Sequence, residues 1–293
     1  MAHKAGFVNI IGNPNVGKST LMNVLVGERV SIITSKAQTT RDRIMGIVNG
    51  DDFQIVYSDT PGVIDPGYKL HEKMMKSVQT AFTDADIMLF MTDVTESEKS
   101  TEATVEKLKK VAAPLVILIN KVDLVGQDEV KELAKRWAQL FPKAILLPIS
   151  ALKKFNTKGV FEIILEHLPE SPAYFPKDQL TDKPERFFVG EIIREKIFKY
   201  YKQEVPYSVA VVIESFKEEP KIVKIRAEIV VERESQKGIM IGHKGKALKN
   251  LGIQARREIE NFLQKKVFLQ TYVKVDKDWR RSERSLKNLG YGG

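Results

Sequence analysis

No cysteine occurs anywhere in the 293-residue chain, so neither a disulfide framework nor a thiolate metal centre can form. That absence suits a reducing compartment. Long apolar runs are also missing: nothing approaches the roughly 18 consecutive apolar residues that a membrane-spanning helix requires. The opening "MAHKAGFVNIIG" holds only a short apolar run that leads straight into a glycine loop. It predicts a first strand rather than a cleaved leader. An excess of charge is absent from the first part of the chain. Up to residue 170, 21 basic and 21 acidic residues cancel, whereas residues 171–293 carry 26 basic against 17 acidic. The whole net charge of +9 therefore resides in the last two-fifths. A basic block on a folded domain fits nucleic acid or an anionic membrane, and it fits a solvated lysine-rich surface equally well.

What is present is ample apolar material, 43% of residues, and a length that suits two domains. Short apolar runs at 6–12, 53–59, 86–93, 114–120 and 144–150 are of buried-strand type. Helical patterns at 100–112, 127–141 and 157–168 lie between them. Strands alternating with helices predict a mainly parallel sheet covered on both faces, with ligands at the C-terminal strand ends. Prolines at 169, 172, 176 and 184 mark a linker. The expected division is therefore 1–170, a linker at 171–184, and a second domain at 185–293. In that second part a helix is expected at 185–202 and strands at 207–216 and 221–233. A helix, a glycine loop, a further helix through Leu251, Ala255 and Ile259, and a last strand from Val267 follow. Along the second of these strands Ile225, Ala227, Ile229 and Val231 alternate with Lys224, Arg226 and Glu228, which predicts one buried face and one wet face.

The loop Gly12-Asn13-Pro14-Asn15-Val16-Gly17-Lys18-Ser19, with Thr20 after it, fits G-x-x-x-x-G-K-[ST] between a strand and a helix. Glycines let the backbone curl so that successive N–H groups form an anion nest at a helix N-terminus. Lys18 is expected to reach the β- and γ-phosphates, and Ser19 to bind Mg²⁺. Asp59-Thr60-Pro61-Gly62 ends another apolar run. Asp59 is placed to hold Mg²⁺ through water, and the Gly62 N–H to meet a γ-phosphate. Asn120-Lys121-Val122-Asp123 ends a third run. The Asp123 carboxylate offers two acceptors for the N1–H and N2–H₂ donors of guanine, and adenine lacks that donor pair. Asn120 would fix the loop, the Lys121 stem would lie over the base, and the Ser150-Ala151-Leu152 backbone would serve the guanine O6. Each motif alone is weak, but four in order after apolar runs point to guanine-nucleotide (GTP/GDP) chemistry.

A second glycine loop, Gly242-His243-Lys244-Gly245, fits the GXXG of a KH module, which clamps single-stranded nucleotides by their backbone. A lone GxxG is usually a turn. Here a helix follows it, three strands flank it, and residues 221–293 hold 18 basic and 8 acidic residues. Lys244, Lys246, Arg256 and Arg257 are the expected phosphate contacts. His243 either stacks on a base or is simply an exposed loop residue. The basic tail 278–290 either extends the RNA surface or packs Trp279 against the sheet.

With "QTTRDRI" (38–44), "DTPGV" and "NKVD" the chain resembles the bacterial Era family of GTPases over nearly its full length. The resemblance implies a P-loop GTPase domain followed by an α+β type II KH domain. It implies that Thr40 closes over Mg²⁺, with Thr39 as the alternative. Many GTPases place a water-orienting glutamine where this chain has Val63. In related GTPases an asparagine at the Asn15 position resembles a K⁺ ligand, which implies K⁺ in the role of an arginine finger. The expected catalytic set is Lys18, Asn15, Thr40 and Gly62. The resemblance also implies a cytoplasmic monomer that binds near the 3′ end of small-subunit ribosomal RNA. It further implies that this monomer helps assemble the small ribosomal subunit and associates peripherally with the inner membrane face.

Overall fold

In the computed structural model, which describes residues 2–291 apart from the side chains of residues 98–100, the first apolar run forms β1 (Lys4–Ile11). The elements α1 (Lys18–Val26), β2 (Ile44–Asn49), β3 (Phe53–Asp59), α2 (Lys69–Thr83), β4 (Ile87–Asp93) and α3 (Glu98–Leu108) follow. Next come β5 (Leu115–Asn120), α4 (Gln127–Leu140), β6 (Ile145–Pro148) and α5 (Thr157–His167). The sheet order is β2-β3-β1-β4-β5-β6. All pairings are parallel except that of β2 with β3. Every residue of β4 is buried, as a strand covered on both faces requires. Phe90, Leu108, Ile117 and Trp137 form part of the core on one side of the sheet. Strand order reverses about β1, so the loops after β1, β3 and β4 open around one crevice.

The chain divides into two compact units: residues up to Asp65 with Met74–Asp182, and Pro66–Lys73 with residues from Lys183 onward. The proline-rich stretch is docked along the first unit. Ile47 N donates to Leu180 O (2.8 Å), and Asp182 Oδ1 accepts from Met45 N (2.9 Å). The fully buried Gln54 accepts from Tyr174 N (2.7 Å) and Phe175 N (3.0 Å). Its amide donates to Phe175 O (2.8 Å). These bonds cover the edge strand β2 and the start of β3, and an uncovered edge invites wrong pairing.

The second unit contains α6 (Glu185–Tyr200), β7 (Ala210–Glu219), β8 (Ile222–Val231), α7 (Glu234–Ile241), α8 (Lys246–Leu263), β9 (Val267–Val275) and α9 (Glu283–Asn288). β8 is antiparallel to β7 and parallel to β9. Ile225, Ala227, Ile229 and Val231 join one core with Val189, Ile193, Leu251, Ala255 and Ile259. The predicted alternation in β8 is therefore observed. Trp279 is fully buried. Its indole N–H donates to Ser208 O (2.9 Å), and its ring stacks on Tyr291. Of the two sequence readings of the tail, packing of Trp279 is the one observed. Pro66–Lys73 is held in this unit by the Arg280 guanidinium, 4.7 Å from the Tyr68 ring and paired with Glu232. Lys73 Nζ donates to Tyr291 O (2.7 Å). Among the described residues no helix is long and apolar enough to cross a membrane.

Candidate functional site

The turn between β1 and α1 is built from conformations that only certain residues adopt. Gly12 and Gly17 have φ of 153° and 107°, and Asn15 has φ of 66°. A side chain at Gly12 would strike the Met91 carbonyl, and one at Gly17 the Asn120 amide. The glycine spacing is thus set by close approach as well as by dihedral angle. Lys18 Nζ donates back to Gly12 O (3.0 Å) and Asn13 O (2.8 Å). Burial lowers its pKa to about 8, against the opposing pull of Asp59 and Glu96. An ammonium held this way above an anion nest is suited to a polyphosphate. A cleft of about 100 Å³ lies here, lined by Lys18, Ser19, Thr34, Thr40 and Gly62 among others.

Ser19, Thr40 and Asp59 converge. Ser19 Oγ donates to Asp59 Oδ2 (2.7 Å) and lies 3.0 Å from Thr40 Oγ1. Thr40 Oγ1 is 3.4 Å from the same carboxylate oxygen. Asp59 Oδ1 is buried without a hydrogen-bond partner, and burial pushes the carboxyl pKa up. An orphaned carboxylate oxygen beside two hydroxyls fits a small oxygen-seeking cation such as Mg²⁺, which keeps several waters and takes few protein ligands. Thr39 points elsewhere: its hydroxyl bonds Lys36 O and Thr34 Oγ1, each at 2.6 Å. Between the two threonines, Thr40 is the one turned to the cation position.

Asn120, at the end of β5, ties three loops together. Its amide donates to Val16 O (2.7 Å), and its oxygen accepts from Ala151 N (2.9 Å). Lys121 has φ of 62° and pairs with Asp93 at 2.5 Å. Asp123 is exposed beside it. The Ser150 N–H is bonded to Phe155 O (3.2 Å). Two of the three expected O6-facing amides, Ser150 and Ala151, are thus engaged within the protein, and Leu152 is largely exposed. Thr60 donates to Ile10 O (2.8 Å), and Val63 N to Gly12 O (3.2 Å). Gly62 packs on Pro14. Asn15 Nδ2 donates to Ser35 O (3.2 Å), which sets its carboxamide against a carbonyl of the 28–43 loop.

Two groups escaped the sequence reading. Arg43 reaches Ser58 Oγ and Asp84 Oδ2, each at 2.5 Å, and Asn9 Oδ1 at 3.0 Å. It pins the end of the loop that carries Thr40. Glu96, after β4, accepts from Asn13 Nδ2 (2.6 Å) and Thr92 Oγ1 (2.7 Å). Burial raises its carboxyl pKa. The available signals were an asparagine inside an apolar strand and a second acidic residue just beyond Asp93.

In the second unit Gly242 and Gly245 have φ of 70° and 76°, and Lys244 has φ of 50°. The turn projects His243 and Lys244 into solvent, with Lys246 also exposed at the start of α8. Ile239, half-exposed, precedes it. Arg257 is exposed on α8, roughly 16 Å along the helix from Lys246 at 1.5 Å per residue. Arg256 is engaged by Glu260 (2.9 Å). The structure thus groups His243, Lys244 and Lys246 and sets the two arginines apart from them.

Residues 7–121 match the family model described as 50S ribosome-binding GTPase, and residues 204–280 match the KH domain model. The chain is similar to GTPase Era of Clostridium kluyveri, 46% identical over 98% of this chain and 99% of that protein. It is similar to GTPase Era of Geotalea uraniireducens, 47% identical over 98% of each. Among solved structures it resembles Era in complex with MgGDPNP and nucleotides 1506–1542 of 16S ribosomal RNA, with a TM-score of 0.95, 40% identity, and 99% and 100% of the two chains covered. An Aquifex aeolicus Era variant bound to GDP·AlF4⁻ matches with the same score, identity and coverage.

Proposed function

The chain belongs to the GTPase Era family, and from that premise we propose how its two units act: the first binds and hydrolyses GTP with Mg²⁺, and the second binds single-stranded RNA. The observation that carries the first half is the convergence of Ser19, Thr40 and the orphaned Asp59 oxygen beneath the phosphate nest. Bound Mg²⁺ would offset charge on the β- and γ-phosphates. Ser19, Thr40 and Asp59 are the residues that would hold it. Lys18 cradles the phosphates, and the Gly62 N–H meets the γ-phosphate. Asp123 selects guanine, while Asn120 keeps its loop in register with the phosphate turn. Hydrolysis releases Thr40 and Gly62 from the lost phosphate, so residues 30–43 and 62–76 report the state of the nucleotide.

Val63 cannot orient the attacking water. Asn15 supplies the remaining charge stabilisation through K⁺ held by its side-chain oxygen, the amide N–H being given to the Ser35 carbonyl of the neighbouring loop. Multiple-turnover hydrolysis is expected to run at least about tenfold faster in K⁺ than in Na⁺, with the difference abolished in Asn15→Ala. Equal rates in the two salts would remove K⁺ from the mechanism and leave the Mg²⁺ site standing.

The Gly242–Gly245 turn grips RNA backbone while bases lie toward Ile239. The relative solved with the 16S nucleotides supports a target near the 3′ end of small-subunit ribosomal RNA and a role in assembling that subunit. Gly245→Asp is the test. A Cβ there meets open space, so the variant acts through its positive φ and its charge rather than by a clash. Loss of binding to a short single-stranded oligoribonucleotide, with GTP hydrolysis retained, is expected. The protein acts as a cytoplasmic monomer. Its basic unit also rests loosely on the anionic inner membrane face, a contact that rising salt should release first.

A further inference from the structure

The stretch at the end of β4, residues 93–96, belongs to none of the motifs that define the nucleotide site, yet it touches two of them. Asp93 pairs with Lys121 of the guanine loop. Glu96 reaches the phosphate loop. One Glu96 oxygen accepts the Asn13 amide at 2.6 Å. The other accepts Thr92 Oγ1 at 2.7 Å and Asp93 N at 3.3 Å. Asn13 in turn offers its backbone carbonyl to Lys18 Nζ at 2.8 Å. Hydrogen bonds on the two sides of Asn13, its carboxamide to Glu96 and its backbone carbonyl to Lys18, therefore link the end of a central strand to the phosphate-binding ammonium.

We propose that Glu96 is a positioning residue for GTP binding: by holding the Asn13 side chain it fixes the Asn13 carbonyl, and with it the Lys18 ammonium, at the height where the phosphates arrive. The physical need is specific. A lysine side chain loses much rotamer freedom when it is fixed, and a phosphate loop gains from a lysine already fixed before ligand enters. Asn13 follows Gly12 at the start of the turn, and its side-chain amide is given to Glu96. Glu96 is a charged acceptor, and charge-assisted hydrogen bonds are roughly twice as strong as neutral ones. It is fixed at its far end by a buried strand residue, Thr92.

This inference rests on the reading of the first unit as a GTP site, so the parent chain is measured first. If the parent fails to bind GTP, that reading fails. If the parent binds, the variants decide the inference. Glu96→Ala is expected to raise KM for GTP about tenfold with kcat within about twofold, because Lys18 meets the phosphates in ground and transition states alike. Glu96→Gln keeps an oxygen for the Asn13 amide and is expected to stay within about threefold of the parent KM. That rescue separates positioning from general damage, and thermal melts without nucleotide confirm that each variant folds. Asn13→Ala is expected to lose as much as Glu96→Ala, and the double variant no more than either. A parent-like KM in Glu96→Ala would overturn the proposal, and so would losses that multiply in the double variant.

Discussion

Lys18 enters the nucleotide site with an ammonium that burial has loosened, its pKa lowered to about 8. Phosphates favour the charged form, so the pKa rises on binding. Affinity tied to that proton is fully present below the free-protein value and fades as pH climbs past it. GDP affinity, measured by titration from pH 6.5 upward, is expected to be level to about pH 8 and to weaken about tenfold per further unit. Level affinity to pH 9 would mean that Lys18 stays charged in the free protein. At this scale the motif residues were legible because the nest is built from neighbours in sequence: Gly12 to Ser19 needs no distant partner to be recognised. Arg43 was not, because its partners Ser58, Asn9 and Asp84 lie 15, 34 and 41 positions away. Gln54 was hidden for the same reason, since its bonds go to residues 174 and 175.

Among elements, the strands buried on both faces were the easiest to read, since β3, β4 and β5 are mostly apolar and lack the alternation of a half-exposed strand. β2 was not expected. Gly46 interrupts it, and its antiparallel partnership depends on an edge that the linker completes. α2 was not expected either, although Leu70, Met74, Val78 and Ala81 are all buried and all at helical spacing. In the second unit the order of elements followed from two periods, 2 in β8 and 3.6 in α8. The tail was ambiguous because one tryptophan among arginines suits either a core or an RNA surface. Its burial gives a prediction. Trp279→Ala removes a fully buried ring and its bond to Ser208, which should cost about 3–5 kcal/mol. Urea titration should show the second unit unfolding at lower denaturant while GDP binding by the first persists. Unfolding unchanged from the parent would mean the ring is dispensable to that core.

At the scale of the whole chain, the division expected at residue 170 differs from the one the contacts draw. The proline-rich stretch reads as a tether, yet residues through Asp182 belong to the first unit. A chain ending at Glu170 leaves the buried Gln54 carboxamide without three of its bonds, at a cost of at least about 2 kcal/mol, and bares a strand edge. It is expected to aggregate, whereas a chain ending at Lys183 should stay soluble and bind GDP; light scattering and nucleotide titration compare them. Equal solubility would make the docking incidental. The chain ending at Lys183 keeps Pro66–Lys73 but lacks Arg280 and Tyr291, so trypsin should cut at Lys69 and Lys73 there and spare them in the full chain.

That segment also has a history during synthesis. Tyr68 and Arg280 are 212 residues apart. At 5–20 residues per second, Tyr68 leaves the ribosome about 10 to 40 s before its partner exists. For that interval the nascent first unit can close around nucleotide with the stretch just beyond Gly62 still unfastened. Only the newest residues of the chain complete it.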